Sequence, residues 1–411
     1  MAAQQRKAQV ALGASLRTLG DLTFTRDGAR QFSSFAYSQD WLMSRDRFQL
    51  SPELELVSTP HFANGRDNAR DALHGPFADV APDSWGRRLL ERAHSAGLSE
   101  FDMLVLADDF SRHGALRFLD DRGDVISGGT EAVPRLLELD RITALSRSYE
   151  QGLQLSAEDL KALAGAGATL GGARPKANVL DGEELWLAKF TSVHDTHPIE
   201  QMEVATLLLA DACGIRVPEV RLELATSPFP VALIKRFDRR GRERIPYISA
   251  RTALGKRGTE AGSYTEIAEF IRAWSAEPTA DLHELFLRLV FTILVSNKDD
   301  HLKNHGFVYA GGNRWRLSRI FDVNPAPERE PHLETAIMEG GPFDRSIDLA
   351  VEACEFFELS QAEASQLIRS VAGTVSENWR RHLARQNVTG ARAKHYEPAF
   401  VHPEMDKALS L

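Results

Sequence analysis

The sequence predicts an α+β fold, in which a small β-rich N-terminal part precedes a bilobal body whose second lobe is mostly helical. Three observations carry this. Apolar and polar residues alternate with a strand-like period over residues 1 to about 60. The composition turns abruptly to glycine at GAGATLGG, residues 165–172. Beyond residue 260, apolar residues recur at helical spacing through most of the chain.

A chain of 411 residues exceeds one ordinary hydrophobic core. Three segments are expected, 1–135, 136–245 and 246–411. In LRTLGDLTFTRDGARQFSSFAY, Asp27-Gly28 separates two strand-like runs and predicts a small antiparallel sheet. PDSW offers an Asp or Ser cap before RRLLERA, which predicts a helix over Pro82 to Ala96. The acidic and glycine-containing stretch Asp120 to Thr130 reads as a loop leading to the first boundary. Two helical patterns fill Leu137 to Ala164, and the glycine tract after them is expected to be loop, because glycine is a poor helix former. ELWLAKF reads as a buried strand. PIEQMEVATLLLADACG, Pro198 to Gly214, reads as a helix closed by a glycine cap. VALIKRF is strand-like, and the basic Arg239 to Arg244 that follows is expected to be a solvated turn, with a phosphate or DNA patch as the alternative. SYTEIAEFIRAW and DLHELFLRLVFTILVSN predict long helices, the second with Asp281 and Glu284 at capping-box spacing. Ser360 to Arg385 is helical, and the last residues are expected to be loosely held.

Composition narrows the function. Hydrophobic residues make up 43% and charged residues 26% of the chain, as in soluble globular proteins. A formal charge of −9 argues against coating nucleic acid by overall charge. Cys213 and Cys354 have no CxxC partner, so neither disulfides nor a cysteine metal site is expected, in keeping with a reducing cytoplasm. No stretch resembles a signal peptide or a membrane span, so a cytoplasmic protein without membrane contact is expected.

The chemistry concentrates in SNKDDHLKN, Ser296 to Asn304, at the end of an apolar helix. Phosphoryl transfer uses this pattern: an Asp (Asp299) takes or orients the proton of the attacking hydroxyl, and an Asn five residues on (Asn304) holds Mg²⁺. Lys303 can neutralise the transferring phosphate. The bland alternative is a polar, solvated helix end. Asp322 in RIFDVNPAP supplies a second hard oxygen ligand, after a short strand-like run and before two prolines that keep the backbone extended. The glycine tract, with Gly171, Gly172, Arg174 and Lys176, can cradle phosphates through backbone N–H groups. It lacks the G-K-[ST] ending of a P-loop. Lys189 in ELWLAKF is a cation among apolar residues, with a phosphate as its natural partner and snorkelling as the alternative. Glu203 in the next helix can pair with it. His301 and His305 have the spacing of a helical zinc pair, but Leu302 stands where that motif needs Glu, and Lys303 repels a metal.

Taken in order, GGARPKA, LAKF, KRFDR, SNKDDHLKNHGF and FDVNPAP, with FAYSQDWL and APDSWGRRLLER before them, resemble the HipA family of bacterial Ser/Thr kinases, toxins of type II toxin–antitoxin pairs. The resemblance implies a kinase-like fold, with residues 1–135 an N-terminal subdomain, 136–245 the N-lobe and 246–411 the C-lobe. It implies ATP and Mg²⁺ as cofactors, Asp299 as base, Asn304 and Asp322 as metal ligands, Lys189 on the phosphates, and Lys235 to Phe237 as the hinge beside adenine. It implies autophosphorylation in the glycine loop at Thr169, where relatives often carry Ser. A phosphate there adds about −1.5 to −2 charges and is expected to switch the kinase off. It implies a HipB-like helix-turn-helix antitoxin that brings the toxin to operator DNA, and a protein substrate such as an aminoacyl-tRNA synthetase, whose modification arrests growth. Two other readings stay open. One is a small-molecule phosphotransferase of the aminoglycoside-kinase kind, which resembles His-Gly-Asp where Asn297 begins the loop here. The other is a catalytically silent binding module.

Overall fold

The computed structural model describes residues 3–66, 68–94, 97–128, 133–169, 171–258, 260–328 and 332–411. The chain forms two compact units. One comprises residues 1–193, 235–248 and 311–313; the other comprises residues 194–234, 249–310 and 314–411.

The first unit opens with strands β1 (Gln4–Leu12), β2 (Arg17–Asp27) and β3 (Arg30–Tyr37), followed by a short helix α1 (Gln39–Met43) and β4 (His61–Asn64). Asp27 pairs with Arg30, and Gly28 turns the chain between them at φ +60°, as the Asp-Gly signal predicts. Helices α2 (Gly75–Val80), α3 (Ser84–His94) and α4 (Glu100–Leu106) then lead to β5 (Leu116–Leu119), which completes an antiparallel sheet of order β4-β3-β2-β1-β5. Val10, Leu22, Phe24 and Phe35 point to its buried face. Phe77 of α2 packs edge-on against Phe35, with ring centroids 5.2 Å apart, and Phe101 of α4 packs against Phe24 at 5.7 Å. The predicted helix end at Ala96 and loop end at Thr130 lie outside the described residues.

Helices α5 (Leu139–Glu150) and α6 (Ala157–Gly167) follow as predicted, but α6 runs on through the first two glycines of the tract. Those glycines were expected to break the helix. At Gly167 packing overrides the poor propensity, because there α6 meets α3 too closely for a side chain. A Cβ on Gly167 would lie 3.0 Å from both Leu89 Cδ1 and Trp85 Nε1 and 2.8 Å from the Lys176 carbonyl oxygen. A Cβ on Gly86 would lie 2.4 Å from the Ala168 carbonyl oxygen. Strand β6 (Lys176–Asp181), missed in the sequence, pairs antiparallel with β7 (Glu184–Phe190).

In the second unit, α7 (Ile199–Ala212) ends at Gly214, φ +82°, and precedes the hairpin of β8 (Val220–Glu223) and β9 (Val231–Lys235), whose last residue belongs to the first unit. The chain returns to the first unit for a two-strand ribbon, β10 (Arg239–Arg240) and β11 (Glu243–Arg244), and begins β12 (Tyr247–Ser249) there. The expected solvated turn holds at its tip, where Arg240 to Glu243 are exposed, but not at the two flanking arginines. Arg239 donates to the Asp238 carboxylate at 2.7 Å and to the carbonyls of Gly114 and Arg112, and Arg244 donates to the Asp109 and Gly114 carbonyls. Both guanidiniums are buried because they satisfy loop carbonyls that no strand pairs.

Helices α8 (Ala250–Ala253), α9 (Tyr264–Trp274) and α10 (Pro278–Leu294), strands β13 (Gly306–Gly311) and β14 (Arg314–Leu317), and helices α11 (Ile347–Glu352), α12 (Gln361–Arg385), α13 (Gly390–Phe400) and α14 (Pro403–Ser410) complete the chain. Helix α10 is the core of the second unit, with Leu282, Leu285, Phe286, Leu289, Val290 and Ile293 fully buried and α9 and α12 packed on it. The expected capping box is absent. Pro278 starts the helix one turn earlier, and Asp281 and Glu284 are buried partners of Arg216, Arg316 and Arg288. The tail is not loose either: Tyr396, Phe400, Met405 and Ala408 are buried. No helix among the described residues is long and apolar enough to cross a membrane.

Candidate active site

Helix α10 stops because Ser296 takes a left-handed backbone, φ +56°. Such a conformation is rare for a residue with a Cβ and persists where surroundings fix it. Ser296 is fixed: its hydroxyl donates to the Ala399 carbonyl at 2.8 Å and accepts from Arg345. The next residue, Asn297, is buried, and its Oδ1 accepts the Asn324 backbone N–H at 3.1 Å. The Ala326 N–H donates to the Ser296 carbonyl at 3.1 Å. The loop after α10 and the segment carrying Asp322 are thereby held side by side.

Asp299 and Asp300 then part company. Asp300 is buried, accepts from the Tyr264 hydroxyl, lies 3.1 Å from His305 Nε2, and accepts at its carbonyl from Thr335 Oγ1 at 2.6 Å. Asp299 points outward, its side chain 75% exposed and 3.9 Å from His301 Nε2. Partial withdrawal from water, then the negative charges of Asp322, Glu334 and Asp300, raise its pKa above the ordinary carboxylate value, against the pull of His301. Asn304 is buried at the end of a single 3₁₀ turn, Leu302–Asn304, and its Nδ2 donates to the Asp299 carbonyl at 2.7 Å. With the nitrogen so engaged, the other end of the amide is an oxygen, the hard ligand a Mg²⁺ ion takes. Asp322 is half-buried with φ +58°, and Asn324 Nδ2 lies 3.4 Å from its Oδ1. Two protein oxygens suit an ion that keeps water and phosphate oxygens in its shell. Lys303 sits half-buried on the same turn. His301 and His305 flank that turn and face different carboxylates, so the zinc pairing weighed in the sequence is not formed.

In the first unit, Lys176 and Lys189 are directly opposite each other on β6 and β7, hence on one face, and both are buried. Lys176 Nζ donates to the Gly171 carbonyl at 2.6 Å and lies where a Cβ on Gly172, φ +84°, would stand. Gly172 is held in turn by its carbonyl, which accepts from Trp85 N–H at 3.0 Å. Thr169 is buried: its hydroxyl accepts from Asn178 Nδ2 at 2.9 Å and lies 3.1 Å from Ser111 Oγ. Asn178 is itself positioned by Arg236, which also grips Asp238 and the Ser111 carbonyl. Lys235 pairs with Glu184 at 2.5 Å, and the Phe237 ring packs by His113 and Tyr247. Glu203 is buried on α7 in the second unit.

Sequence reasoning missed Ser296, Asn297, Asp300 and the Asn178–Arg236 support. Spacing from Asn304 singles out Asp299 in the sequence, but the contacts that bury Asp300 beside it come from Tyr264 and Thr335, 36 and 35 positions away.

The fold and this loop constellation define a protein of the kinase-like α+β class. Residues 168–379 match the model of the HipA-like C-terminal domain and residues 10–118 that of the HipA N-terminal domain, and the chain belongs to the HipA family. It is 30% identical over 148 residues to a Haemophilus influenzae protein, a match covering 32% of this chain and 43% of that one. It is 26% identical over 319 residues to Y4mE of Sinorhizobium fredii, covering 71% of each. Both are named as kinases by inference. The chain thus spans less than half the length of the first of these relatives. Among solved structures, HipA of Shewanella oneidensis, in complex with HipB and operator DNA, has a TM-score of 0.71 at 16% identity and covers 98% of this chain and 99% of that one.

Proposed function

We propose that the chain is a Mg-ATP-dependent serine/threonine protein kinase, the cytoplasmic toxin of a HipBA-type toxin–antitoxin pair. The observation that carries this reading is the division of labour in the loop after α10. Asp300 is buried and bound, Asp299 is presented, and Asn304 pins the Asp299 backbone while offering an oxygen. In the proposed reaction Asp299 takes the acceptor hydroxyl's proton as that oxygen bonds to the γ-phosphorus and the bond to ADP breaks. Asn304 and Asp322 would hold Mg²⁺, which when bound would supply screening of the phosphate charge, and Lys303 offsets charge on the transferred group. Lys176, Lys189, Gly171 and Gly172 are assigned to the phosphates, Lys235 to Phe237 to the adenine, and Glu203 to the same nucleotide-binding set. Segments 1–135, 136–245 and 246–411 are the proposed functional divisions.

Thr169 is the proposed autophosphorylation site. Its burial means that the loop must open before its hydroxyl can react, and the added charge then opposes reclosure. A HipB-like antitoxin, operator DNA reached mainly through it, and a translation component as substrate complete the proposal. They are motivated by the company in which the Shewanella neighbour was crystallised and by the family resemblance.

The test is label transfer from γ-labelled ATP with Mg²⁺ and bacterial extract, comparing the chain with Asp299→Asn. Label on the chain or on an extract protein, reduced about 10² to 10⁴-fold in the variant, supports the proposal. ATP binding without protein label points instead to a small-molecule phosphotransferase. No rise in melting temperature with Mg-ATP points to a silent module.

A further inference from the structure

Beside the loop that carries Asp299, wholly within the second unit, lies a cavity of about 490 Å³. Its apolar lining is Leu302, Leu333 and Phe343. Two of its charged residues are cations, Arg251 and Lys303, and two are anions, Glu260 and Glu334, so its wall carries no formal excess of either sign. The walls are built rather than accidental. Leu333 N–H donates to the Phe343 carbonyl at 2.7 Å, Ala336 N–H donates to the Gly262 carbonyl at 2.9 Å, and Thr335 ties this segment to Asp300. Leu302 packs directly over Gly262, where a Cβ would stand 2.8 Å from Leu302 Cδ1.

The cavity and Asp299 share a border. His301, 3.9 Å from the Asp299 carboxylate, lines the cavity, as do the next two residues of the turn. An acceptor hydroxyl at Asp299 places the neighbouring residues of its chain about 4 to 7 Å away, one or two Cα spacings along. Because His301 borders both, a side chain one or two residues from the acceptor hydroxyl is the part of the substrate that lies toward the cavity. The volume lies in the range of pockets that enclose a specific group, and balanced charge with an apolar lining favours an uncharged side chain.

We propose that this cavity is an acceptor-recognition pocket that takes a large apolar side chain at one fixed offset from the phosphorylated Ser or Thr. The proposal rests on the kinase reading and deepens it by assigning substrate preference to Leu302, Leu333 and Phe343. Ala261 also lines the cavity and is exposed, which gives a clean way to fill it.

The full chain, Ala261→Trp and Phe343→Ala are incubated with γ-labelled ATP, Mg²⁺ and bacterial extract, and labelled sites are mapped by mass spectrometry. The wild-type sites are expected to share an apolar residue at one offset. A peptide copied from the best site should show a KM raised roughly tenfold or more by Ala261→Trp, with the KM for ATP unchanged. Phe343→Ala, which enlarges the cavity, should shift the preference toward bulkier side chains. Extract sites with no common apolar offset, or an Ala261→Trp enzyme that handles the peptide like wild type, overturn the pocket and leave the kinase standing. Label confined to the chain itself also overturns the pocket. Absence of any Asp299-dependent label overturns both.

Discussion

Ionising Asp299 costs this protein stability, because its carboxylate gives up part of its hydration and then meets Asp322, Glu334 and Asp300. A carboxyl whose folded pKa is raised is most favourable when protonated, below the unfolded value of 3.8, and that contribution is lost as pH rises through the folded pKa. Asp299→Asn removes the penalty. The variant is expected to melt above wild type at pH 7 in metal-free buffer, with the gap closing as pH falls toward 3.8; equal melting at both pH values would show that the neighbours exert no such strain. Asn304 makes a second residue-scale prediction. Asn304→Ala removes both the proposed ligand and the hydrogen bond to the Asp299 carbonyl. The Mg²⁺ concentration for half-maximal label transfer should rise at least about tenfold. An unchanged Mg²⁺ requirement would remove Asn304 from the proposed metal site.

At the scale of elements, the contact of α3 with α6 shows two glycines with opposite costs. Gly86 faces the Ala168 carbonyl at a distance no Cβ tolerates, whereas a Cβ on Gly165, inside the same α6, would meet nothing within 4 Å. Gly86→Ala should therefore destabilise by about 1 to 3 kcal/mol, through strain at a packed contact. Gly165→Ala should stabilise by about 0.5 to 1 kcal/mol, through lower chain entropy in the unfolded state. Urea unfolding of the pair checks both, and equal effects would remove helix packing as the reason for Gly86. The glycine tract thus has two parts. Its first half belongs to a helix that needs close approach, and its second half is the loop that the sequence suggested, where Gly172 at φ +84° makes room for Lys176.

For the molecule as a whole, two buried imidazoles, one in each unit, make stability depend on pH below neutrality. Burial pushes His113, packed against Tyr247 at 4.2 Å, down to about 4. Burial, with Arg345 nearby, does the same to His402, which accepts the Met405 N–H in the cap of α14. Both histidines bind a proton more readily unfolded, at 6.5, than folded, at about 4. Stability therefore rises with pH across that window, by up to about 1.4 kcal/mol per pH unit for each. Since His113 lies in the first unit and His402 in the second, both units should weaken between pH 6.5 and 5. His113→Phe should remove its share of the slope in chemical denaturation, and an undiminished slope would mean that the ring is not buried neutral.

The sequence by itself determined the α+β class, the order of most elements and the candidate residues of the proposed phosphoryl transfer, since period, caps and motif spacing are local properties of the chain. The hairpin at Asp27-Gly28, the strand of Lys189 and the glycine-closed α7 were all legible for that reason. Tertiary structure alone decided what buries Asp300 beside the candidate base, because Tyr264 and Thr335 reach it from 36 and 35 positions away. It also decided that α6 continues through Gly167, that Arg239 and Arg244 are buried, and that the C-terminal helices are packed. In each case a long-range contact outweighs a local preference of about 1 kcal/mol, and no window of sequence contains both partners of that contact.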